Sequence, residues 1–138
     1  MSDQATTKAL RAGWILLAVS LPLGVTLEAL HGFKVQRYLA SETRHEMWRL
    51  AHAHGTLLGI LLLVFAALGE RHLEAAARAR VGRDLRVGAV LMPLGFFLGG
   101  ILNTEGDPSP GIALVPLGAL FLLVALVRAA RATPSADR

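Results

Sequence analysis

His31, His45, His52 and His54, with Glu28 and Arg49, are the residues of this chain whose types and spacing could do chemistry. Neutral imidazole ligates metals and haem, and it also takes and gives protons near neutral pH. A carboxylate such as Glu28 can complete a metal site, orient a ligand histidine or partner an acid–base imidazole. A guanidinium such as Arg49 contacts an anion or a developing negative charge. Ser20, Gly24, Glu28 and His31 recur at intervals of four, four and three residues, which places them on one helix face. His45, Arg49 and His52 recur at four and three, with Thr56 and Gly59 continuing the same face. His54 lies about 200° round the helix from His52, so one helix cannot turn both rings to the same ligand.

The segments that carry these residues are unusual for such chemistry. The chain has 138 residues, 54% hydrophobic, and a mean hydropathy of +0.52. Its apolar residues come in long runs, at about 12–30, 44–69, 87–102 and 111–131. Each is close to the ~20 residues that cross a hydrocarbon core of ~30 Å, the third being the shortest. The fold expected is therefore all-α and integral to the membrane. Four transmembrane helices run up, down, up and down in a bundle, as one domain over 1–138. The first run does not read as a cleaved signal peptide, because "EALHGF" after it is not a small-residue cleavage site. There are no cysteines, which excludes disulfides, thiolate metal sites, attached c-type haem and Cys-held iron–sulfur clusters.

Charge sets the orientation. The fourteen Lys and Arg residues divide ten to four. Lys8, Arg11, Arg71, Arg78, Arg80, Arg83, Arg86, Arg128, Arg131 and Arg138 flank one side, and Lys34, Arg37, Arg44 and Arg49 flank the other. The positive-inside rule then puts both termini in the cytoplasm. It also explains a pI near 10.7 without nucleic acid as a partner. The richness in Ala, Leu and Arg suggests a bacterial inner membrane, with lipid bilayer as the surrounding partner. "ERHLEAAARARVGRDLRVG" reads as a charged helical extension whose arginines rest against anionic headgroups. The tail "ATPSADR" reads as disordered.

On this topology the unusual polar groups collect near the outer face, and the inner halves of the helices read as plain. Glu28 and His31 end the first helix. His45, Arg49, His52 and His54 open the second. Asn103, followed by Glu105 and Asp107, ends the third. "TRHE" predicts a capping box in which Thr43 caps the second helix, Glu46 reaches back and the helix starts near Arg44. Gly55 and Gly59 with Ala51, and Gly95 and Gly99 leading to Asn103, form small-residue ridges for close helix contact and for association into a homo-oligomer. Pro22, Pro93 and Pro116 fall inside helices and predict kinks. "NTEGDPSPG" predicts a tight outer turn. Ionisable groups at such depth default to a functional site.

Two resemblances bear on that site. "AHGTLLGILLLVF", from Ala53, resembles the second transmembrane helix of haem–copper oxidase and nitric-oxide-reductase catalytic subunits, where an "HG-x-L-M" element supplies a low-spin haem ligand. The resemblance implies haem b on His54. A second ligand would come from His31 or a second protomer's histidine, in place of the late helix this chain lacks. The whole chain also resembles small bacterial four-helix membrane proteins with an "AH-x-x-G" or "H-x-H" element in helix 2, among them hydroxylaminobenzene mutase, which rearranges an aryl hydroxylamine. His52 in "AHAHG" is the matching position. That resemblance implies a cofactor-free enzyme in which His52 or His54 is the acid–base group, Glu28 its partner and Arg49 an anion contact. Three readings follow. The first is a His/Glu site binding haem b (His54, His52, His31) or a metal ion (His31, His52, Glu28) for redox or electron transfer. The second is the cofactor-free isomerase. The third is a small proton-coupled transporter with Glu28 as the coupling carboxylate, which the plain inner halves disfavour.

Overall fold

The computed structural model describes residues 4–101, 103–104 and 106–133. Glu105 and the tail 134–138 lie outside the described residues. Four long helices carry the chain: α1 (Gln4–Gly32), α3 (Glu42–His72), α4 (Ala75–Gly99) and α5 (Leu114–Ala132). A single-turn helix, α2 (Gln36–Leu39), links α1 to α3, and a 3-10 turn, Pro110–Ala113, leads into α5.

Successive long helices run antiparallel, and close pairs give the register. Along α1 and α3, Thr6 donates to Glu70, Gly13 meets Gly59, and His31 stacks on His45. Along α3 and α4, Phe65 lies against Gly82 and Trp48 stacks on Phe97. Along α4 and α5, Asp84 pairs with Arg128, Gly88 meets Leu122, and Gly95 meets Val115. A Cβ on Gly13 would stand 2.9 Å from the Gly59 carbonyl, and one on Gly118 2.7 Å from the Met92 nitrogen. At these points backbone touches backbone; Gly59 belongs to an expected small-residue ridge, while the Gly118–Met92 contact lies outside both ridges. Among the other long helices, the backbone of α5 comes close to α4 alone, while α1 reaches both α3 and α4. The four helices therefore form an open array rather than a closed ring.

The helix bounds differ from expectation for local reasons. α1 reaches back to Gln4, the first described residue, because "QATTKALRAG" offers no breaker before the apolar run. α4 begins at Ala75, because the Ala- and Arg-rich stretch expected as a connecting extension is continuous with the third apolar run. The connection from α3 is only Leu73 and Glu74, and α4 ends at Gly99. α3 starts at Glu42, not near Arg44. Its N-cap is Ser41, in extended conformation, whose hydroxyl accepts from the Arg44 amide at 3.2 Å; Thr43 is inside the helix. Pro116 sits in the first turn of α5, where a missing amide costs nothing, whereas Pro22 and Pro93 interrupt α1 and α4.

Three helical segments, Gln4–Gly32, Glu42–His72 and Pro110–Ala132, are long and apolar enough to cross a membrane. They bury little inside the molecule, and Trp14, Val19, Leu21, Val25, Leu57 and Leu123 are among many large apolar side chains left exposed. Soluble monomers rarely show apolar surface on this scale. α4 falls outside this group because Arg78, Arg80, Arg83, Asp84 and Arg86 occupy its first half.

The apolar core occupies one half of the molecule. Leu58, Leu62, Phe65, Leu73, Val81, Leu85 and Leu122 form it, between the α3–α4 turn and the helix middles. The half expected to be plain also contains a buried acid. Asp84, 1% exposed, accepts from Arg83 at 3.0 Å and from Arg128 of α5. An arginine-rich stretch masks one carboxylate in a hydropathy reading, and only the helix register shows it turned inward.

Candidate functional site

At the other end, the last turns of α1, the short α2 and the first turns of α3 meet. His52 is on the α3 face that packs on α1. Its Nδ1 lies 2.8 Å from the Ser20 carbonyl oxygen. A carbonyl only accepts, so Nδ1 carries the proton of the neutral ring and Nε2 keeps its lone pair. The ring fits because residue 24 has no side chain: a Cβ there would collide with the imidazole, 2.8 Å from Nδ1. Ser20 is itself buried against Gly55, so the carbonyl that holds His52 is fixed by a tight helix contact.

His52 shares one groove with Glu28, Glu46 and Arg49. The groove has a volume of about 790 Å³, and Leu21, Val25, Leu50 and Ala53 make its apolar walls. A smaller chamber of about 200 Å³ adjoins it. Glu28, Arg49 and Leu27 line both spaces, and His31, Tyr38 and His45 complete the chamber. The structure therefore brings Glu28, His31, His45, Arg49 and His52 into one connected region.

His54 and Asn103 are placed elsewhere. His54 Nδ1 lies 2.9 Å from the Leu50 carbonyl of its own helix, and its ring packs on Phe96 of α4 with centroids 4.7 Å apart. The two histidines of "AHAHG" thus serve different interfaces, His52 toward α1 and His54 toward α4. Asn103 donates from Nδ2 to the Ser41 hydroxyl at 2.8 Å, tying the turn after α4 to the cap of α3. It lines neither the groove nor the chamber.

Among the described residues, no three His, Cys, Asp or Glu side chains gather as a metal-holding group. His31, Glu28 and His52 are neighbours along the region but do not converge on one point in that way. His31 and His45 instead stack face to face, with centroids 5.6 Å apart and planes 11° from parallel.

Tyr38, Arg44, Glu46 and Trp48 belong to this end and carry no sequence signal as site residues. Tyr38 is 3% exposed, with its ring edge-on to His45 at 4.9 Å and stacked on Trp48 at 6.1 Å. Burial pushes its phenol above the ordinary range; Arg49 pulls it down and Glu28 pushes it up. Arg44 donates to the Gly100 and Arg37 carbonyls at 3.1 and 3.0 Å, and its guanidinium lies over the Trp48 ring. It clamps the α2 loop and the end of α4 to the start of α3. A Tyr in a short linker has no periodicity to betray that it is buried.

No known protein family, curated protein or solved structure matches the chain.

Proposed function

We propose that this chain is a multi-pass membrane protein whose groove binds a lipid-soluble molecule and transfers protons on it without a resident cofactor. The observation that carries this reading is the His52 imidazole, held through Nδ1 by the Ser20 carbonyl, on the wall of a groove that also holds Glu28 and Arg49. A fixed tautomer with Nε2 unengaged by backbone is what a general acid–base group requires. The apolar walls suit a ligand that arrives from the bilayer.

The reaction class is rearrangement of an aryl hydroxylamine to an aminophenol, as the resemblance to hydroxylaminobenzene mutase implies. In the protonated state, His52 gives its proton to the hydroxyl oxygen, the N–O bond breaks and water leaves. Glu28 stabilises the positive charge left on nitrogen and ring. A water adds to a ring carbon and passes one of its protons to the nitrogen, and neutral His52 takes up the ring proton as aromaticity returns. The product is an isomer of the substrate, and His52 ends as it began. Arg49 orients the hydroxyl oxygen before the bond breaks. Turnover of phenylhydroxylamine by the protein in lipid nanodiscs, read as aminophenol by chromatography, tests this. Activity should fall at least about hundredfold in His52→Gln and Glu28→Gln. Absence of turnover in the wild type, or equal turnover in the variants, rejects it.

The topology belongs to the same proposal. If α3 and α5 both cross, α4 must return the chain between them, because it joins the end of α3 to the start of α5. Four crossings, with the arginine-rich end and both termini in the cytoplasm of a bacterium, satisfy the charge bias.

His54 favours a second reading. Its Nδ1 is held by Leu50, which also leaves Nε2 for a ligand, as haem b on that face would need. A Soret band lost in His54→Ala would establish it, and the absence of a band after reconstitution with haem would end it. A proton-coupled transport path from Glu28 would have to cross the apolar Leu58–Leu62–Val81 core to reach the buried Asp84.

A further inference from the structure

We infer that the Tyr38 chamber is the head-group end of the site and that it selects a neutral, hydroxyl-bearing ligand (phenol, alcohol or N-hydroxy class) over a carboxylate or a phosphate. The inference rests on the reading of the groove as a binding site for a lipid-soluble molecule, but it does not require turnover.

Tyr38 is the starting point. Its hydroxyl is buried without a hydrogen-bond partner, although the residue lines a chamber of about 200 Å³. Buried polar groups are nearly always paired, so one left without a partner beside an open chamber points to a ligand atom there. The ring cannot readily turn its hydroxyl elsewhere. It is wedged between the His45 ring, which stands perpendicular to it, and the Trp48 face, and Trp48 is tied by its indole N–H to the Phe97 carbonyl at 3.1 Å.

Charge decides what kind of ligand atom fits. The chamber has one carboxylate, Glu28, and one guanidinium, Arg49, among the uncharged Leu27 and Tyr38 and two imidazoles. An anionic head would gain Arg49 but meet Glu28, and a cationic head would do the reverse. A hydroxyl satisfies both groups. Its oxygen accepts from Tyr38 or Arg49, and its hydrogen is donated to Glu28. Since Glu28 and Arg49 line the chamber and the groove together, a head bound there extends its apolar body along Leu21, Val25, Leu50 and Ala53. The same body then passes His52.

Three probes with one tail and different heads test this: 4-dodecylphenol, 4-dodecylbenzoate and dodecylbenzene. Each is titrated against the full chain in nanodiscs, with thermal unfolding as the readout. The phenol should raise the melting temperature of the wild type well above either other probe. Tyr38→Phe should weaken the phenol about tenfold, while its own ligand-free melt stays level or rises, because it loses an unpartnered buried hydroxyl. Equal shifts from phenol and benzoate, or from phenol and dodecylbenzene, overturn the inference in the wild type alone, whether or not the variant folds. So does an unchanged phenol affinity in Tyr38→Phe. His52→Gln separates the two proposals. If it still binds the phenol while the wild type turns over no hydroxylamine, the chamber stands and the proton-transfer reading fails. If the wild type turns over hydroxylamine but shows no preference for the phenol, proton transfer stands and the chamber inference fails.

Discussion

Glycine at position 24 decides where the His52 ring can lie. A methyl group there would collide with the edge of the imidazole, so Gly24→Ala must push His52 off the Ser20 carbonyl or spread α1 from α3. Such overpacking costs about 1–3 kcal/mol. The expected result is a folded protein with a lowered melting temperature and the same loss of turnover as His52→Gln. Wild-type activity in Gly24→Ala would show that the ring position is unimportant. Tyr38 gives a second prediction at this scale. Its phenol is held above the ordinary range by burial, so ionising it is harder folded than unfolded. Burial of this group leaves stability unchanged with pH below about pH 10, the unfolded value, and lowers it as pH rises through and beyond that value, where the unfolded chain ionises the phenol first. Thermal melts between pH 9 and 11 should fall more steeply for the wild type than for Tyr38→Phe. Parallel curves would contradict the burial effect.

Helix-to-helix ties show what spacing alone could and could not reveal. The four-and-three intervals of His45, Arg49 and His52 place these residues on one face, and all three line the region where α1 meets α3. The opposed directions of His52 and His54 follow from the helical repeat in the same way. Partners across helices did not follow. Nothing in "RVGRDLRVG" tells that Asp84 alone of its charged residues is buried, turned inward to Arg128, forty-four residues away. Nor does Asn103, beside a charged turn, reveal that its amide holds the cap of α3. The Asp84 pair is asymmetric, and that can be measured. The Arg83 and Arg128 side chains are 63% and 45% exposed and can turn to solvent, while the carboxylate is sealed in. Arg128→Ala should therefore cost about 3 kcal/mol, near the low end for a broken buried pair. Asp84→Asn, which keeps a hydrogen-bond acceptor, should cost about 1 kcal/mol. Chemical denaturation in detergent would order the two, and the reverse order would mean that Asp84 is not the group that needs its partner.

Across the whole molecule, polarity is divided between two ends. One end gathers imidazoles, Tyr38 and Trp48 round open space, and the other packs an apolar core beneath arginines. That division sets the topology prediction. An alkaline-phosphatase fusion after Arg138 should be inactive and a fluorescent-protein fusion there should glow, while a cysteine introduced at Gly106, in the turn between α4 and α5, should be labelled from outside intact cells. Active phosphatase at the C-terminus would invert the arrangement and put the groove at the cytoplasmic face. The apolar character of the three long segments was plain from the sequence, but the shorter run in α4 was not decisive, since charge fills the same helix.

From Leu21 to Ala53 the chain supplies every wall of the groove and of the chamber, using only α1, α2 and the start of α3. Contacts so near in sequence close small loops and form early. The first two long helices and the short α2 between them therefore suffice to assemble the site, without α5. The second hairpin then arrives as a buttress, pressing Phe97 on Trp48 and Phe96 on His54. Damage to α5 should therefore lower the protein's stability more than it alters what the groove can bind.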